Sequence, residues 1–123
     1  MLFNEMYNLF FKRFFTFKGR SSRKEYIARI LLTFIIFVIS AYSGNDIVHY
    51  DILSLIYIWI LVICLWISII QYFLLSIRRL HDLNESGWYV LLTFVPITKF
   101  FILWLMFRKG TQGTNKYGEP PII

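Results

Sequence analysis

The stretch Ile52–Ile77, ILSLIYIWILVICLWISIIQYFLLSI, decides the fold of this chain. It carries no charged side chain, and its polar members are three serines and one glutamine. About 20 such residues are enough to cross the hydrocarbon core of a bilayer as an α-helix. At about 1.5 Å per residue the helix would be about 39 Å long, so it should tilt or extend into the headgroups. The stretch predicts a full transmembrane helix over 52–77.

The composition of the whole chain agrees with a membrane location. Of its 123 residues, 58% are hydrophobic, 20% are aromatic and only 16% are charged. Soluble domains average about 45–50% apolar and about 25% charged residues. The chain is therefore expected to form one all-α integral membrane domain, 1–123. Because Cys64 is the only cysteine, disulfide frameworks and thiolate metal sites within one chain are excluded.

A second apolar segment covers residues 26–43 and predicts another full span. Tyr26 and Tyr42 lie at its two ends, about 24 Å apart along a helix. This spacing matches the two aromatic belts at the membrane interfaces. Arg29, one turn from the inner interface, is expected to extend its guanidinium toward the headgroups.

The third apolar segment, 88–107, leaves two alternatives open. It contains Pro96 and Lys99 near its centre. Proline removes a helical hydrogen bond, and an ammonium near the midplane costs about 2.5–3.5 kcal/mol on insertion scales. The segment is either a kinked transmembrane helix or a re-entrant hairpin that turns at 95–98.

The first eighteen residues predict a helix lying in the headgroup plane. A helical period places most of the large apolar side chains on one face, whereas Arg13 and Phe15 do not fit the pattern. A plain amphipathic packing helix explains the same pattern equally well. The apolar face consists of Phe3, Met6, Tyr7, Phe10, Phe14 and Phe17.

The positions of the basic residues predict the orientation. Seven lysines and arginines lie in residues 1–29. Arg78 and Arg79 come directly after the second span, and the loop 43–51 between the two spans has no lysine or arginine. Cytoplasmic loops of membrane proteins accumulate Lys and Arg. The N-terminus is therefore expected in the cytoplasm. The tail 108–123 is also basic, and a hairpin would keep it cytoplasmic whereas a third crossing would place it outside.

Three local motifs surround these spans. The first motif is Phe17 to Tyr26, in which Ser22 and Glu25 have the spacing of a capping box and predict that a helix begins there. In the second, Arg78-Arg79-Leu80-His81-Asp82 suits a helix C-terminus followed by a turn. In the third, Arg108 to Pro120, Gly110 suits a helix C-terminal stop and the remaining glycines permit turns that fold the tail back.

The three motifs, in this order, resemble those of the DUF805 family of small bacterial inner-membrane proteins. Ile27 and Gln112 depart from the residues common in that family, which are tryptophan and proline. The resemblance implies membrane location and architecture and supplies no activity. The matching positions are Phe17, Gly19, Arg20, Arg23, Glu25, Arg78, Arg79, Leu80, His81, Asp82, Gly87, Trp88, Gly110, Thr111, Gly113, Asn115, Tyr117 and Gly118.

Charged residues of the first two motifs form the main candidate site. On the predicted topology they gather at the inner interface, where they either pair with one another or bind anionic lipid headgroups. Internal pairing predicts a structural or regulatory role. These residues are Arg20, Arg23, Glu25, Arg78, Arg79, His81 and Asp82.

Two other function classes remain as alternatives. An enzyme would have to use the adjacent His81 and Asp82, yet the chain has only two histidines and no nucleophile or phosphate-loop motif. We therefore expect no catalytic, cofactor or metal site. A subunit of an oligomeric transporter is suggested by the intramembrane polar residues Arg29, Gln71 and Lys99.

The predicted partners follow from the same topology. Membrane lipids, including anionic ones, are expected to contact the basic face, and a second copy or another membrane protein is expected to contact the helices. Nucleic acid is not expected, because the membrane topology already explains the net charge of +6.

Overall fold

The protein is all-helical in the residues that the computed structural model describes: 2–7, 11, 13–43, 51–96 and 100–121. The elements in chain order are α1 (Leu2–Tyr7), α2 (Arg23–Ser43), α3 (Ile52–Asp82), a 3-10 helix (Gly87–Phe94) and α4 (Phe101–Phe107). These described ranges contain no strand and one isolated bridge, between Asn115 and Gly118 in the tail. The all-α fold class predicted from the sequence is confirmed.

Helix α3 begins where the long apolar stretch begins. The Asp51 side chain accepts a hydrogen bond of 3.1 Å from the Ser54 backbone N–H, and the Ser54 hydroxyl donates to the Asp51 carbonyl at 2.8 Å. Hydrogen bonds that the Asp51 carboxylate accepts from the side chain and the backbone N–H of Ser54 lower the pKa of Asp51. The exposed Asp51 thus serves as the N-cap of the helix.

The C-terminal end of α3 lies farther along the chain than the predicted span. The helix continues through the second motif to Asp82, so its 31 residues extend about 46 Å. Leu83 closes it by donating to the carbonyls of the last turn, and Asn84 adopts a left-handed conformation with φ of 62°. The basic residues of the second motif are therefore helical, and they do not follow the helix as a loop.

Helix α2 begins at the first motif. The Ser22 hydroxyl accepts a hydrogen bond of 3.2 Å from the Glu25 backbone N–H, which is one half of a capping box. The helix starts at Arg23, directly after the predicted cap Ser22 and three residues before the predicted span 26–43, and packs along α3.

Both long helices are apolar on surfaces that the rest of the protein does not cover. Only 17% of the most apolar window of α2 and 6% of that of α3 is buried inside the protein. Large side chains such as Phe34, Trp59 and Trp66 are more than 60% exposed. A core helix of a soluble protein would be buried, so these surfaces require an apolar solvent. Two helices are long and apolar enough to cross a membrane.

The segment predicted over 88–107 consists of two short helices. The 3-10 helix ends at Phe94 and is followed by Val95, whose extended backbone is the conformation favoured before a proline. Helix α4 begins at Phe101, and Lys99 lies outside the described residues. The first end of the segment, Gly87, lies against the Ile77 side chain, and the last turn contacts Arg79 through the Leu105 carbonyl. Both ends of the segment therefore lie near the C-terminal end of α3.

The amphipathic helix predicted over 1–18 does not include residues 13–18. Helix α1 covers Leu2–Tyr7, and Arg13–Phe15 form a turn. Phe10 lies outside the described residues. The exposed Phe3 and Tyr7 remain available for contact with an apolar phase.

The small hydrophobic core lies at the C-terminal end of α3. Tyr26 of α2 is completely buried there, and its hydroxyl is 3.3 Å from the Ser76 hydroxyl. The charged residues of the first two motifs lie next to this core, within one helical turn of its members Tyr26 and Leu80. Its buried members are Tyr26, Leu75, Leu80, Leu83, Val90, Phe101 and Leu105.

Candidate functional site

The three motifs meet around the carboxylate of Asp82. Arg20 of the first motif donates from Nε to Asp82 Oδ1 at 3.0 Å, and its Nη2 lies 2.9 Å from the same oxygen. Arg79 of the second motif donates to Asp82 Oδ2. All three side chains are buried. We call Arg20, Arg79 and Asp82 the Asp82 cluster.

Arg79 connects three parts of the chain. Its Nε donates to the Leu105 carbonyl of α4 at 2.9 Å, and its Nη1 donates to the Ser21 carbonyl at 3.2 Å. Its Nη2 donates to the Arg108 carbonyl just after α4. The three nitrogens of the planar guanidinium thus donate hydrogen bonds to acceptors in different directions, which the single ammonium group of a lysine could not do.

Arg20 holds the tail. Its Nη1 donates to the Gly113 carbonyl at 2.6 Å and to the Gly118 carbonyl at 3.3 Å. Its Nη2 donates to both the carbonyl and the hydroxyl of Thr111. Because Gly113 and Gly118 have positive φ angles of 73° and 123°, the tail can turn and present these carbonyls to one guanidinium.

The end of α3 contributes backbone contacts to the same tail. The Asp82 carbonyl accepts from the Thr111 N–H at 2.8 Å and from the Thr111 hydroxyl at 2.9 Å. Asn115 donates to the His81 carbonyl at 2.9 Å. A Cβ at Gly110 would overlap the Asp82 carboxylate, so only glycine allows this close approach.

His81 lies beside the cluster and packs against the tail. Its ring stacks on Tyr117 with centroids 3.9 Å apart and an angle of 10° between the planes. Its Nδ1 is 3.2 Å from the Gly19 carbonyl, which places the first motif on its other side. This arrangement uses the imidazole as a packing and hydrogen-bonding group between two motifs.

The electrostatics of the Asp82 cluster favour internal pairing. Two buried guanidinium groups share one buried carboxylate, and backbone carbonyls accept their remaining hydrogen bonds. Burying charges is costly unless each one is paired and hydrogen-bonded. Here the hydrogen-bonding partners of Arg20 and Arg79 come from the first motif, α3, α4 and the tail, so the Asp82 cluster connects four segments of the chain.

A second charged group lies one turn away, between α2 and α3. Glu25 Oε1 is 3.2 Å from Arg29 Nη2 and 3.7 Å from Arg78 Nη2. All three side chains are at least 93% buried. We call Glu25, Arg29 and Arg78 the Glu25 cluster.

The structure divides the predicted site residues between these two groups. Arg20, Arg79, His81 and Asp82 belong with the tail, whereas Glu25 and Arg78 pair between the helices. Arg23 is exposed and reaches the Phe107 carbonyl at 3.4 Å.

The intramembrane polar residues have separate positions. Arg29 is buried, and its guanidinium pairs with the carboxylate of Glu25, one helical turn nearer the start of α2. Gln71 donates to the Phe14 carbonyl, connecting α3 to the N-terminal region. The position predicted for Lys99 lies outside the described residues.

The sequence interpretation missed the role of Thr111 and Asn115. They were interpreted as part of a turn, although their side chains contact the end of α3.

The described residues contain no group of three or more His, Cys, Asp or Glu side chains that could hold a metal ion. Both Asp82 oxygens are hydrogen-bonded to arginines. The chemistry that the site offers is therefore pairing between guanidinium and carboxylate groups, together with capture of backbone carbonyls.

The fold and the site define a small helical membrane protein whose charged motifs pair at one end of its long helices. The chain belongs to the DUF805 family, described as "Protein of unknown function (DUF805)", whose match covers residues 14–119. This result confirms the resemblance that the three motifs carry.

Two relatives from Escherichia coli K12 are similar over most of their length. Inner membrane protein YhaI is 34% identical over 115 residues, which cover 89% of this chain and 89% of YhaI. Inner membrane protein YhaH is 33% identical over 120 residues, which cover 89% of this chain and 90% of YhaH. No solved structure matches the chain.

Proposed function

We propose that this protein is a multi-pass component of the bacterial inner membrane with its N-terminus in the cytoplasm. The distribution of Lys and Arg supports this orientation. In this orientation the end of α3 at Asp82 and the Asp82 cluster face the cytoplasm. The inner-membrane relatives support the choice of membrane.

The third segment is a re-entrant hairpin in this proposal. The 3-10 helix starts beside Ile77, and the last turn of α4 contacts Arg79. A segment that begins and ends at the same end of α3 returns to the side from which it started. The tail 108–121 then lies in the cytoplasm, where its basic residues agree with the charge rule.

The role of the protein in this proposal is structural or regulatory. The observation that carries it is the Asp82 cluster, in which Arg20 and Arg79 are both buried and bind four chain segments. Groups held in this way are poorly placed to transfer protons or to bind a passing substrate. They are well placed to keep the tail folded against the membrane-embedded body.

The short helix α1 fits an interfacial position. Phe3 and Tyr7 are 79% and 55% exposed, so their rings are available to the boundary between headgroups and acyl chains. This position would also keep the first motif close to the inner surface, where it meets the tail.

Hydrogen exchange in the tail tests the structural role. In the parent protein we expect slow amide hydrogen exchange over 109–119. The Thr111 N–H donates a hydrogen bond to the Asp82 carbonyl, and the backbones of Asn115 and Gly118 form two hydrogen bonds with each other. Asp82→Asn leaves Arg20 and Arg79 without a carboxylate, so exchange over the same residues should accelerate.

The matched control is Glu85→Gln. It removes the carboxylate of the partly exposed Glu85–Arg108 pair and leaves the Asp82 cluster intact. Equal tail protection in the parent and Asp82→Asn, with α2 and α3 still folded, would contradict the structural role.

A further inference from the structure

A groove of about 330 Å³ lies between the 3-10 helix and α4. Tyr89 and Leu92 of the 3-10 helix form one wall, and Phe101 and Trp104 of α4 form the other. Glu85, in the connection between α3 and the 3-10 helix, also lines the groove. We call this space the hairpin groove. It combines two mainly apolar walls with one charged end.

The charged end contains a cation as well as a carboxylate. Arg108 directly follows α4, and its Cζ is 4.8 Å from the centroid of the Trp104 ring. Its Nη1 is 3.6 Å from Oε1 of Glu85, which is longer than a hydrogen bond. Both side chains are partly exposed. The carboxylate can therefore accept a hydrogen bond from a ligand, and the guanidinium can donate one.

Backbone hydrogen bonds fix the positions of both charged residues. The N–H of Glu85 donates to the Leu80 carbonyl at 2.9 Å, and the N–H of Arg108 donates to the Trp104 carbonyl at 3.0 Å. The Arg108 carbonyl also accepts a hydrogen bond from Arg79. A ligand would meet two charged groups on backbone that is already held in place, which lowers the cost of binding.

The apolar walls extend from the charged end toward the membrane interior in the proposed orientation. Leu92 is five residues beyond Gly87, about 10 Å along a 3-10 helix. Phe101 is seven residues before Arg108, about 10 Å along an α-helix. Glu85 and Arg108 then lie at the depth of the headgroups, and the walls lie beside the first part of the acyl chains.

One carboxylate beside one guanidinium is the charge complement of a zwitterionic headgroup. A phosphate would bind Arg108, and an ammonium group would bind Glu85. An anionic headgroup without an ammonium group would leave the Glu85 carboxylate without a partner. A quaternary ammonium carries the charge but has no N–H to donate. A primary ammonium has three N–H donors and meets both requirements.

We propose that the hairpin groove binds one phosphatidylethanolamine molecule. Its ammonium group binds Glu85, its phosphate binds Arg108, and an acyl chain lies between the 3-10 helix and α4. A second copy of the chain is a poorer complement, because it would have to bury the Glu85–Arg108 pair. This inference rests on the re-entrant hairpin proposed above, but it does not depend on the Asp82 cluster.

Lipid retention by the full-length protein in mild detergent tests the proposal. The protein is incubated in turn with phosphatidylethanolamine, its N,N-dimethyl derivative and phosphatidylcholine, all with identical acyl chains, and bound lipid is counted by native mass spectrometry. The parent should retain phosphatidylethanolamine at least about tenfold better than phosphatidylcholine, because the latter cannot make the charge-assisted hydrogen bond to Glu85. The dimethyl lipid keeps one N–H donor and should be retained far better than phosphatidylcholine.

Two substitutions separate the two halves of the headgroup. Glu85→Ala removes the acceptor, so the preference for phosphatidylethanolamine over phosphatidylcholine should disappear. Arg108→Gln removes the charge that binds the phosphate, so retention of both lipids should fall by a similar factor. Glu119→Ala and Lys24→Gln make the same changes of charge at exposed positions outside the groove and should leave retention unchanged. Circular dichroism confirms that each variant is folded, and the comparison of lipids on the parent requires no variant.

Competition with glycerophosphoethanolamine distinguishes a lipid site from a site for the headgroup alone. This water-soluble compound has the same headgroup and no acyl chains. Because the apolar walls contribute to binding only when an acyl chain lies between them, it should not displace bound phosphatidylethanolamine at equal concentration.

Four results would overturn the proposal. They are equal retention of phosphatidylethanolamine and phosphatidylcholine by the parent, an unchanged preference in Glu85→Ala, displacement of the lipid by glycerophosphoethanolamine, and a dimer that retains neither lipid, which would indicate that a second copy fills the groove. Glu85 lies outside the Asp82 cluster, and none of these results changes the expected hydrogen exchange of the tail. A failure of the lipid site and a failure of the proposed structural role are therefore distinguishable.

Discussion

Arg20 and Asp82, 62 residues apart in sequence, are joined by a hydrogen bond of 3.0 Å between Nε and Oδ1. The same guanidinium also holds the carbonyls of Thr111, Gly113 and Gly118 in the tail. One side chain from the start of the chain thereby connects the end of α3 with the C-terminal motif. Arg20 of the first motif, Asp82 of the second and the glycines of the third are therefore parts of one hydrogen-bonded arrangement.

Replacing Arg20 should strongly destabilise the protein. Arg20→Gln would leave the buried Asp82 with one guanidinium partner and release the tail carbonyls. Removing one partner of a buried charge pair costs about 3–5 kcal/mol. The measurement is the free energy of unfolding in detergent micelles.

Arg108→Gln is the matched control for this prediction. Arg108 and Glu85 are 3.6 Å apart, and their side chains are 45% and 36% exposed. Such a surface pair contributes at most about 1 kcal/mol. Similar losses of stability in Arg20→Gln and Arg108→Gln would show that the buried contacts of Arg20 carry no special weight.

A methyl group at Gly110 should push the tail away from α3. The added Cβ of Gly110→Ala would overlap the Asp82 carboxylate, and overpacking of this kind costs about 1–3 kcal/mol. We expect faster tryptic cleavage at Lys109 and Lys116. Gln112→Ala, at an exposed position two residues later, should be cleaved at the parent rate. Parent-like cleavage of Gly110→Ala would mean that the approach of Gly110 to Asp82 is not needed for the tail to dock.

The stacked pair His81–Tyr117 should depend on the ring and not on the phenol hydroxyl. Tyr117→Phe keeps the ring and should unfold at the parent midpoint. Tyr117→Ala should lose about 0.5–1.5 kcal/mol for the aromatic pair, in addition to the loss of buried area. Thermal unfolding followed by circular dichroism measures both variants. A similar midpoint for Tyr117→Ala and Tyr117→Phe would contradict the stacking role.

The two long helices could be predicted because their signal is local. A run of apolar residues without charge specifies a transmembrane helix wherever its neighbours lie. The conformation of Val95 could also be predicted, since proline restricts the residue before it to extended backbone. The extension of α3 to Asp82 was not predicted, because arginines after an apolar run resemble a helix end at the interface.

The pairing within the charged motifs could not be assigned from the sequence. Arg79–Asp82 and Glu25–Arg29 have the local spacing of helical pairs, but nothing local assigns Arg20 to Asp82 or Arg78 to Glu25. The choice depends on how the tail returns to α3, which is a contact between residues far apart along the chain. Arg29 is buried for a local reason, the carboxylate of Glu25 four residues earlier, and this spacing was available in the sequence.

The side of the membrane on which the tail lies tests the account most directly. A reporter that is active only in the cytoplasm and one that is active only in the periplasm are fused in turn to the C-terminus of the full chain. Cytoplasmic activity, in the same compartment as an N-terminal fusion, is the predicted result, because the tail is bound to Arg20 and Arg79 at the end of α3. Periplasmic activity of the C-terminal fusion would contradict the re-entrant hairpin, and with it the joining of the three motifs on one face of the membrane.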